Sequence, residues 1–477
     1  MEKPLLTGDG APPLYRQIYL RLRAAIADGR LKAGDRVPSI RALASELNLA
    51  RGTIELAYQL LINEGYLMGR GAAGTVVSPL IKSMPVPSES SSAPVPEYSL
   101  VHSGEPAQPF QMGLPALDAF PRKLWNRIAS NELRNSFSDG AIYPDARGHS
   151  SLRRAVARYL GLSRGITCAP EQIFIVAGYR AALDLIGRSL LKPGDSCWME
   201  DPGYFAARDF FQEAGATLVP VPVDSDGMVV EAAVESAPDA RFAVVTPTHQ
   251  SPLCVALSMP RRQALLEWAN AKQSWIIEDD YDSEYRYHGR PLPALKSLDV
   301  HDRVLYCGTF SKVLLPGLRL AYLVVPEKLV PRFAELADKM QSHCPQLWQV
   351  TTARFIEEGH FGRHLKKMRN LYAHRRQLLA QALITRLEHR LVVDNQVGGM
   401  HLLARLDPDE DDREIFIRAK GAGLRVQALS RWYVKTPSVH GLLLGFTNVV
   451  DKAQASELVE RLAQVIECEA LPGNCSP

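Results

Sequence analysis

Hydrophobic residues recur at helical spacing in the first part of the chain. The pattern predicts a helix over residues 13–28, a second helix that begins near Ser39, and a third helix over 51–64. Apolar residues on both sides of a glycine-rich stretch then predict a β-hairpin over 66–77. Short helices joined by a tight turn and followed by a hairpin are typical of a winged helix-turn-helix, an α+β fold.

The pattern changes from about residue 106 onward. Short apolar runs such as QIFIVAG, SCWMEDP and RFAVVTP are each followed by a helical stretch. This alternation predicts βαβ units around a mostly parallel sheet, an α/β fold. After about residue 327 the chain becomes helix-rich and ends in a smaller α+β segment. We therefore predict three parts, with a loosely structured Pro/Ser-rich linker between the two folded ones: 11–78, 79–105 and 106–477.

Composition narrows the class of protein. A chain of 477 residues is expected to form two or three domains. No apolar run approaches 18 residues and the N-terminus lacks the apolar region of a signal peptide, so we expect a cytoplasmic protein without a membrane span. Seven cysteines without CxxC spacing predict reduced thiols rather than disulfides or a zinc site. Residues 1–78 account for the net charge of +3, which weakly indicates that this part faces phosphates.

The predicted third helix presents residues suited to reading double-stranded DNA. Arg51 at its start can bind guanine with two hydrogen bonds, and Thr53 can contact a base edge or a phosphate. Arg70 at the tip of the wing can reach a minor groove or a phosphate. Three residues near the second helix are predicted to position phosphates: Arg36, Ser39 and Arg41. The alternative is a three-helix protein-binding module whose arginines only face solvent.

The run GRLKAGDRVPSIRALASELNLARGTIELAYQLLINEGYL resembles the winged-helix domain of the GntR family over its full length. The resemblance implies a DNA-binding domain. Ala50 departs from the family pattern, because a serine that caps the third helix is frequent there. We expect a weaker helix cap and an unchanged fold.

A second set of polar residues follows the ends of two predicted strands. SWIIEDDYDSEY places Asp279 at the carboxyl end of an apolar run, where ligands of open α/β sheets bind. VLYCGTFSKVLLPGLRLAY then carries Thr309, Ser311, Lys312 and Arg319. Pyridoxal 5′-phosphate needs a lysine, a carboxylate for its ring nitrogen, and hydroxyls with an arginine for its phosphate. Taken singly, Lys312 is typical of a surface lysine, but the set and its spacing favour a cofactor site.

This segment resembles the fold-type I aminotransferases, and most closely the MocR/GabR group of regulators, which carry such a domain behind a GntR head. The resemblance extends over essentially the whole chain. It implies the cofactor pyridoxal 5′-phosphate, with Lys312 as the Schiff-base lysine. It assigns the remaining cofactor contacts to Asp279 at the ring nitrogen, Tyr281 at the phenolic oxygen, Tyr204 stacked on the ring, and Gly178, Tyr179, Arg180, Thr309, Ser311 and Arg319 on the phosphate side.

Two further residues match the group less directly. Tyr143 is expected to reach the phosphate bound by the partner subunit of a homodimer, and Arg431 is expected to hold an effector carboxylate. The alternatives are a packing role for Tyr204 and a surface position for Arg431.

Two short segments depart from the family pattern. Tyr179 and Arg180 replace a small hydroxyl residue and a glutamine, so that either the Arg180 charge replaces the lost hydrogen bonds or the loop has another shape. Leu253 and Cys254 replace part of a Pro-Thr/Ser-Gly turn near the phenolic oxygen. His249 and Ser251 are candidate neighbours of that site.

These observations favour a transcription regulator that depends on pyridoxal phosphate and senses an amine, an amino-acid-like effector or the cofactor itself. We expect a homodimer in which each head lies over the large domain of the partner. A working aminotransferase with an added DNA-binding module is the alternative. A scaffold without cofactor is disfavoured by the intact set of Asp279, Lys312 and Arg319.

Overall fold

The chain, seen here in a computed structural model, divides into two compact units, residues 1–104 (the N-terminal unit) and residues 105–477 (the large unit). The structure describes residues 12–71, 74–80, 107–135, 143–287, 289, 292–340, 343–394, 396–407, 409–435 and 439–467. The predicted linker, 79–105, falls almost entirely outside these ranges, so the predicted domain limits stay predictions.

Three helices form the N-terminal unit: α1 (Leu14–Ala27), α2 (Ile40–Leu47) and α3 (Arg51–Asn63). The apolar faces predicted from the sequence pack into one core, in which Ile18 and Ile54 are fully buried. The Ser39 hydroxyl caps α2 by accepting a hydrogen bond from the backbone N–H of Ala42 at 3.1 Å. Ala50 precedes α3 without a side-chain cap, as its missing hydroxyl predicts.

The predicted hairpin is present as two antiparallel strands, β1 (Leu67–Gly69) and β2 (Thr75–Val77). The segment before α2 adds a third short pairing, because Val37 N donates to Thr75 O at 3.0 Å and Arg36 pairs with Val76. The pattern of residues 34–37 did not predict this pairing, since the segment is too short to alternate. Residues 72 and 73 of the hairpin tip lie outside the described residues.

The large unit is built around an eight-stranded mixed sheet. Its strands are β3 (Ile173–Val176), β4 (Ser196–Asp201), β5 (Thr217–Asp224), β6 (Gly227–Met228), β7 (Phe242–Val245), β8 (Trp275–Asp280), β9 (Val304–Thr309) and β10 (Ala321–Val324). The order is β3-β10-β9-β8-β7-β4-β5-β6. Neighbouring strands from β9 to β5 are parallel, whereas β10 is antiparallel to β3 and β9. The sheet therefore matches the mostly parallel prediction.

Helices cover both faces of this sheet. They are α4 (Arg122–Asn135), α5 (Ser150–Arg164), α6 (Tyr179–Leu190), α7 (Phe205–Glu213), α8 (Val230–Ser236), α9 (Met259–Lys272), α10 (Val330–Met340) and α11 (Gln346–Glu357). Successive residues of β8 face opposite layers: Trp275 and Ile277 pack with α6, α7 and α10, whereas Ile276 packs with α8 and α9. A strand buried on both faces explains the continuous apolar run in the sequence.

The last part of the large unit is the predicted α+β segment. Its elements are α12 (His360–Leu387), β11 (Leu391–Val393), β12 (His401–Leu406), α13 (Asp412–Gly421), β13 (Gln427–Ala428), β14 (Gly441–Gly445) and α14 (Lys452–Glu467). The four strands form an antiparallel sheet in the order β11-β12-β14-β13. None of the described helices combines the length and the apolar character needed to cross a membrane.

Candidate functional site

The carboxyl ends of β8 and β9 bring the two central predicted residues into one region. In the parallel register Asp279 lies opposite Cys307, and Lys312 follows three residues after the end of β9. Asp279 is buried and Lys312 is half-buried, and each alters the pKa of the other. This is the edge at which open α/β sheets bind ligands.

The amino group of Lys312 is held in one position by a backbone carbonyl. Its Nζ donates a hydrogen bond to Gly113 O at 3.0 Å. Burial lowers the pKa of Lys312, while the carboxylates of Asp282 and Asp279 raise it. Gly113 has a φ of +76°, and a Cβ there would lie 2.4 Å from Nζ. Glycine at position 113 therefore leaves the space that the amine occupies.

The Asp279 carboxyl group lies where its charged form is unfavourable. Burial and the neighbouring Asp280 raise its pKa well above the usual value, while Tyr179 and Lys312 act in the opposite direction. A carboxylate in such surroundings gains most from a cationic N–H partner.

The predicted phosphate side lies at the N-terminus of α6. Gly178 immediately precedes this helix with a φ of +103°, and a Cβ there would lie 2.8 Å from Nη2 of Arg319. The same Nη2 donates to Ala177 O at 2.9 Å. Thr309 Oγ1 accepts a hydrogen bond from Ser311 N at 3.1 Å. An arginine and a helix N-terminus together are suited to an anion.

The Arg180 side chain takes another direction. It forms an ion pair with the exposed Glu213 and its guanidinium lies 5.6 Å from the ring centroid of Phe210. In this conformation α7 binds the Arg180 side chain, so the interpretation in which its charge replaces lost hydrogen bonds on the phosphate side stays a prediction. The backbone contribution of Arg180 stays a prediction.

Tyr204 belongs to a group of aromatic rings beside the site. Its ring centroid lies 6.2 Å from that of Tyr179 and 6.2 Å from that of Trp432. Burial and Asp279 raise the pKa of Tyr204 to about 12, while Arg319 lowers it. The pKa of Tyr204 thus responds to both the predicted ring-nitrogen residue and the predicted phosphate residue, and its stacking role stays a prediction.

Tyr281 contacts a buried polar cluster that the sequence indicated only in part. Its hydroxyl lies 3.3 Å from Nδ1 of His249, which lies 3.1 Å from Oδ1 of Asp282. His249 was a candidate neighbour, but Asp282 and Gly113 were missed. Asp282 carried a weak signal, since it stands three residues after Asp279, whereas Gly113 carried none.

Among the described residues, Tyr143 and Arg431 show no contact with this region. Tyr143 is 95% exposed in the single protomer, so its expected contact with a partner subunit stays a prediction. The guanidinium of Arg431 lies 4.5 Å from the ring centroid of Phe416, and it makes no hydrogen bond or ion pair with a described residue. Its role with an effector carboxylate also stays a prediction.

The N-terminal unit presents the predicted DNA-facing arginines to solvent. Within the described part of the chain, the exposed guanidinium groups of four residues make no hydrogen bond or ion pair: Arg36, Arg41, Arg51 and Arg70. Arg36 lies across the hairpin, 3.0 Å from the position of a Cβ at Gly74. The Ser39 hydroxyl is used by the helix cap, and Thr53 is half-buried at the start of α3. Their unpaired guanidinium groups are suited to phosphates.

Comparison with known proteins agrees with both units. Residues 14–77 match the family described as bacterial regulatory proteins, gntR family, and residues 116–461 match aminotransferase class I and II. The probable rhizopine catabolism regulatory protein MocR of Rhizobium meliloti is 39% identical, with 94% of this chain and 93% of that protein covered. The pyridoxine biosynthesis transcriptional regulator PdxR of Corynebacterium glutamicum is 32% identical, with 90% and 91% covered.

Solved structures resemble the large unit. The kynurenine aminotransferase of Pyrococcus horikoshii has a TM-score of 0.68 and 29% identity, and the match covers 75% of this chain and 90% of that one. The large unit therefore has the fold-type I aminotransferase fold that the sequence predicted. The chain belongs to the gntR-family transcription regulators that carry a class I and II aminotransferase domain.

Proposed function

We propose that the large unit binds pyridoxal 5′-phosphate at Lys312 and senses an amine, an amino-acid-like effector or the cofactor itself. We further propose that this binding changes how the N-terminal unit binds operator DNA. The DNA partner implies a cytoplasmic location. By analogy with aminotransferase-like domains, the protein is a homodimer to which Tyr143 contributes across the subunit boundary.

The residues of the site fit this cofactor. The Asp279 carboxyl group is buried, and a protonated ring nitrogen would supply the cationic partner that its charged form needs. Gly178 leaves room beside Arg319 at the start of α6, where a phosphate is favourable. Lys312 Nζ, held 3.0 Å from Gly113 O, supplies the amine for the cofactor, and the Tyr204 ring stays a predicted stacking partner. When bound, the cofactor supplies an aldehyde that reacts with amines and an electron-withdrawing ring.

A regulator also needs two states that the effector distinguishes. A ligand that binds both states with equal affinity would shift nothing, whatever its affinity. An amine that displaces Lys312 from the cofactor would leave the Lys312 amine free to donate to Gly113 O, as it does in this structure. We propose that this release is the local change that the effector produces.

The observation that carries the proposal is the Lys312 amine held 3.0 Å from Gly113 O beside the buried Asp279. The test compares the wild-type protein with Lys312→Ala and with Lys339→Ala, an exposed lysine paired with Glu335. After incubation with pyridoxal phosphate and gel filtration, wild type and Lys339→Ala should keep the visible absorbance of the bound cofactor, and Lys312→Ala should not. A colourless wild-type protein would overturn the proposal.

DNA binding is tested separately on the region upstream of the protein's own gene. We expect specific binding that weakens steeply with salt, because Lys and Arg side chains displace counterions from the phosphates. Equal affinity for this DNA and for random DNA would contradict an operator at that position.

The alternative is a working aminotransferase, and the intact arrangement of Lys312, Asp279 and Tyr204 favours it. Steady turnover of an amino donor with a keto acid would support this alternative. Uptake of cofactor without turnover would support sensing.

A further inference from the structure

Cys254 occupies a backbone conformation that side chains rarely adopt. Its φ is +61°, in the left-handed region that favours glycine. The turn is fixed by hydrogen bonds from Leu253 N to Gln250 Oε1 at 2.9 Å and from Gln250 N to Val255 O at 2.8 Å. The sulfur is thus held in a defined place, and Cys254 is 5% exposed.

Two imidazole rings face this sulfur. Sγ lies 3.3 Å from Nε2 of His401. The same Nε2 lies 3.0 Å from Pro252 O, and a carbonyl only accepts, so Nε2 carries a proton. His249 lies on another side, with Nδ1 3.1 Å from Asp282 Oδ1.

Two buried polar atoms of this cluster form no hydrogen bond with a described residue: Nε2 of His249 and Oδ2 of Asp282. The residue His249 is 7% exposed. Buried polar groups normally have a partner, so such atoms indicate a missing one. Because Asp282 fixes a proton on Nδ1 of His249, Nε2 is the nitrogen left to interact with a polar group beside the sulfur.

The charges in the cluster favour a thiolate. Burial alone raises the pKa of Cys254, but His249 and His401 outweigh it, so that the pKa lies below its ordinary value. For His249, burial lowers the pKa and is outweighed by Cys254 and Asp282. Cys254 also acts on Arg376, because burial lowers the pKa of Arg376 and the charge of Cys254 raises it against that effect. Burial and the carboxylates of Asp279 and Glu278 instead raise the pKa of Cys307 well above its ordinary value.

We propose that Cys254 is a modification site whose thiolate reacts with a small hydroperoxide. The residue is nearly buried, which favours hydrogen peroxide over bulky disulfides. A sulfur–oxygen bond forms and the peroxide oxygen–oxygen bond breaks. Sulfur loses two electrons to become a sulfenic acid, and the leaving hydroxide takes the proton of His401 to become water.

The modification reaches the predicted effector site through Tyr281, whose hydroxyl contacts His249. This consequence for regulation rests on the proposed function, whereas the reactivity of Cys254 does not. Lys312→Ala, which should lose the cofactor, should therefore still be oxidised at Cys254. The two proposals can thus fail independently.

The test uses the whole chain with Cys468→Ser and Cys475→Ser, so that only the five cysteines of the described residues can react. After treatment with hydrogen peroxide, sulfenic acid is trapped with dimedone and located by peptide mass spectrometry. We expect trapping at Cys254 to be at least about tenfold faster than at Cys307 or Cys168, whose pKa is raised by burial. Equal rates at the three cysteines would overturn the proposal.

His401→Gln should slow trapping at Cys254 about tenfold at neutral pH, because it removes the charge that stabilises the thiolate. His364→Gln is the matched control, since His364 is a buried imidazole that donates to Val313 O rather than facing Cys254. The thiolate can also be tested without a histidine variant, by measuring the pH profile of Cys254 alkylation by iodoacetamide. Its midpoint should lie below the ordinary cysteine pKa of about 8.5, and a midpoint at or above that value would refute the thiolate.

Discussion

Replacing Gly113 with alanine moves the Lys312 amine without changing a side chain that is predicted to bind the cofactor. The new Cβ would lie 2.4 Å from Nζ, so Nζ must move by about 1 Å to reach an ordinary contact. Nζ is the end of a flexible side chain, so this movement adds little to the cost of folding. The left-handed φ of +76° costs roughly 1–2 kcal/mol for any other residue. An error of 1 Å at a reacting atom weakens its reaction by up to about 100-fold.

Gly194→Ala is the matched control, because Gly194 has a φ of +86° and nothing lies within 4 Å of a Cβ there. The two variants should lose similar stability in thermal unfolding. Spectroscopic titration with pyridoxal phosphate, followed in time, should show that Gly113→Ala alone takes up the cofactor about 10- to 100-fold more slowly. Equal rates of uptake in the two variants would refute the position assigned to the amine.

Three further predictions concern other parts of the molecule. Asp279→Asn should weaken cofactor binding by about 1.5–3 kcal/mol, because it removes the charged acceptor for the ring nitrogen; unchanged affinity in the same titration would contradict this role. Arg51→Ala should cost about 1–3 kcal/mol on operator DNA and little on random DNA, whereas Arg36→Ala should weaken both alike; equal losses on both DNAs for Arg51→Ala, measured by fluorescence anisotropy, would remove α3 as the reader. Burial raises the pKa of Glu200 from 4.5 to about 7 against the opposing hydrogen bonds of Thr246, so the folded state favours the protonated form. The stabilisation that the protonated Glu200 provides is complete below pH 4.5 and is lost as the pH rises through about 7. Thermal melts should therefore show the wild type losing about 1.4 kcal/mol of unfolding free energy per pH unit relative to Glu200→Gln in this window. A difference between the two proteins that does not vary with pH would contradict this role of Glu200.

The sequence predicted the parts of the fold that local patterns determine. Ile18 and Ile54 lie on apolar helix faces that repeat within a few residues, and the apolar run before Asp279 is a strand buried on both faces. Chemistry and spacing were likewise enough to place Asp279 and Lys312 at one edge of the sheet, whereas Tyr204 was assigned only through the family resemblance.

Features that depend on distant residues were not predictable. Gly113 holds the amine of a lysine 199 positions later, and no local pattern connects the two. The direction of the Arg180 side chain depends on Glu213 in the next helix. Arg431 packs on Phe416, and the short local motif contained no sign of this contact.

The most direct test of the account measures DNA affinity with and without the cofactor. Fluorescence anisotropy on the upstream DNA at one fixed salt concentration would compare wild type and Lys312→Ala, each before and after addition of pyridoxal phosphate. The account predicts that the cofactor changes the affinity of the wild type and leaves that of Lys312→Ala unchanged. A wild type whose DNA affinity is the same in both states, or a Lys312→Ala protein that responds like the wild type, would contradict it.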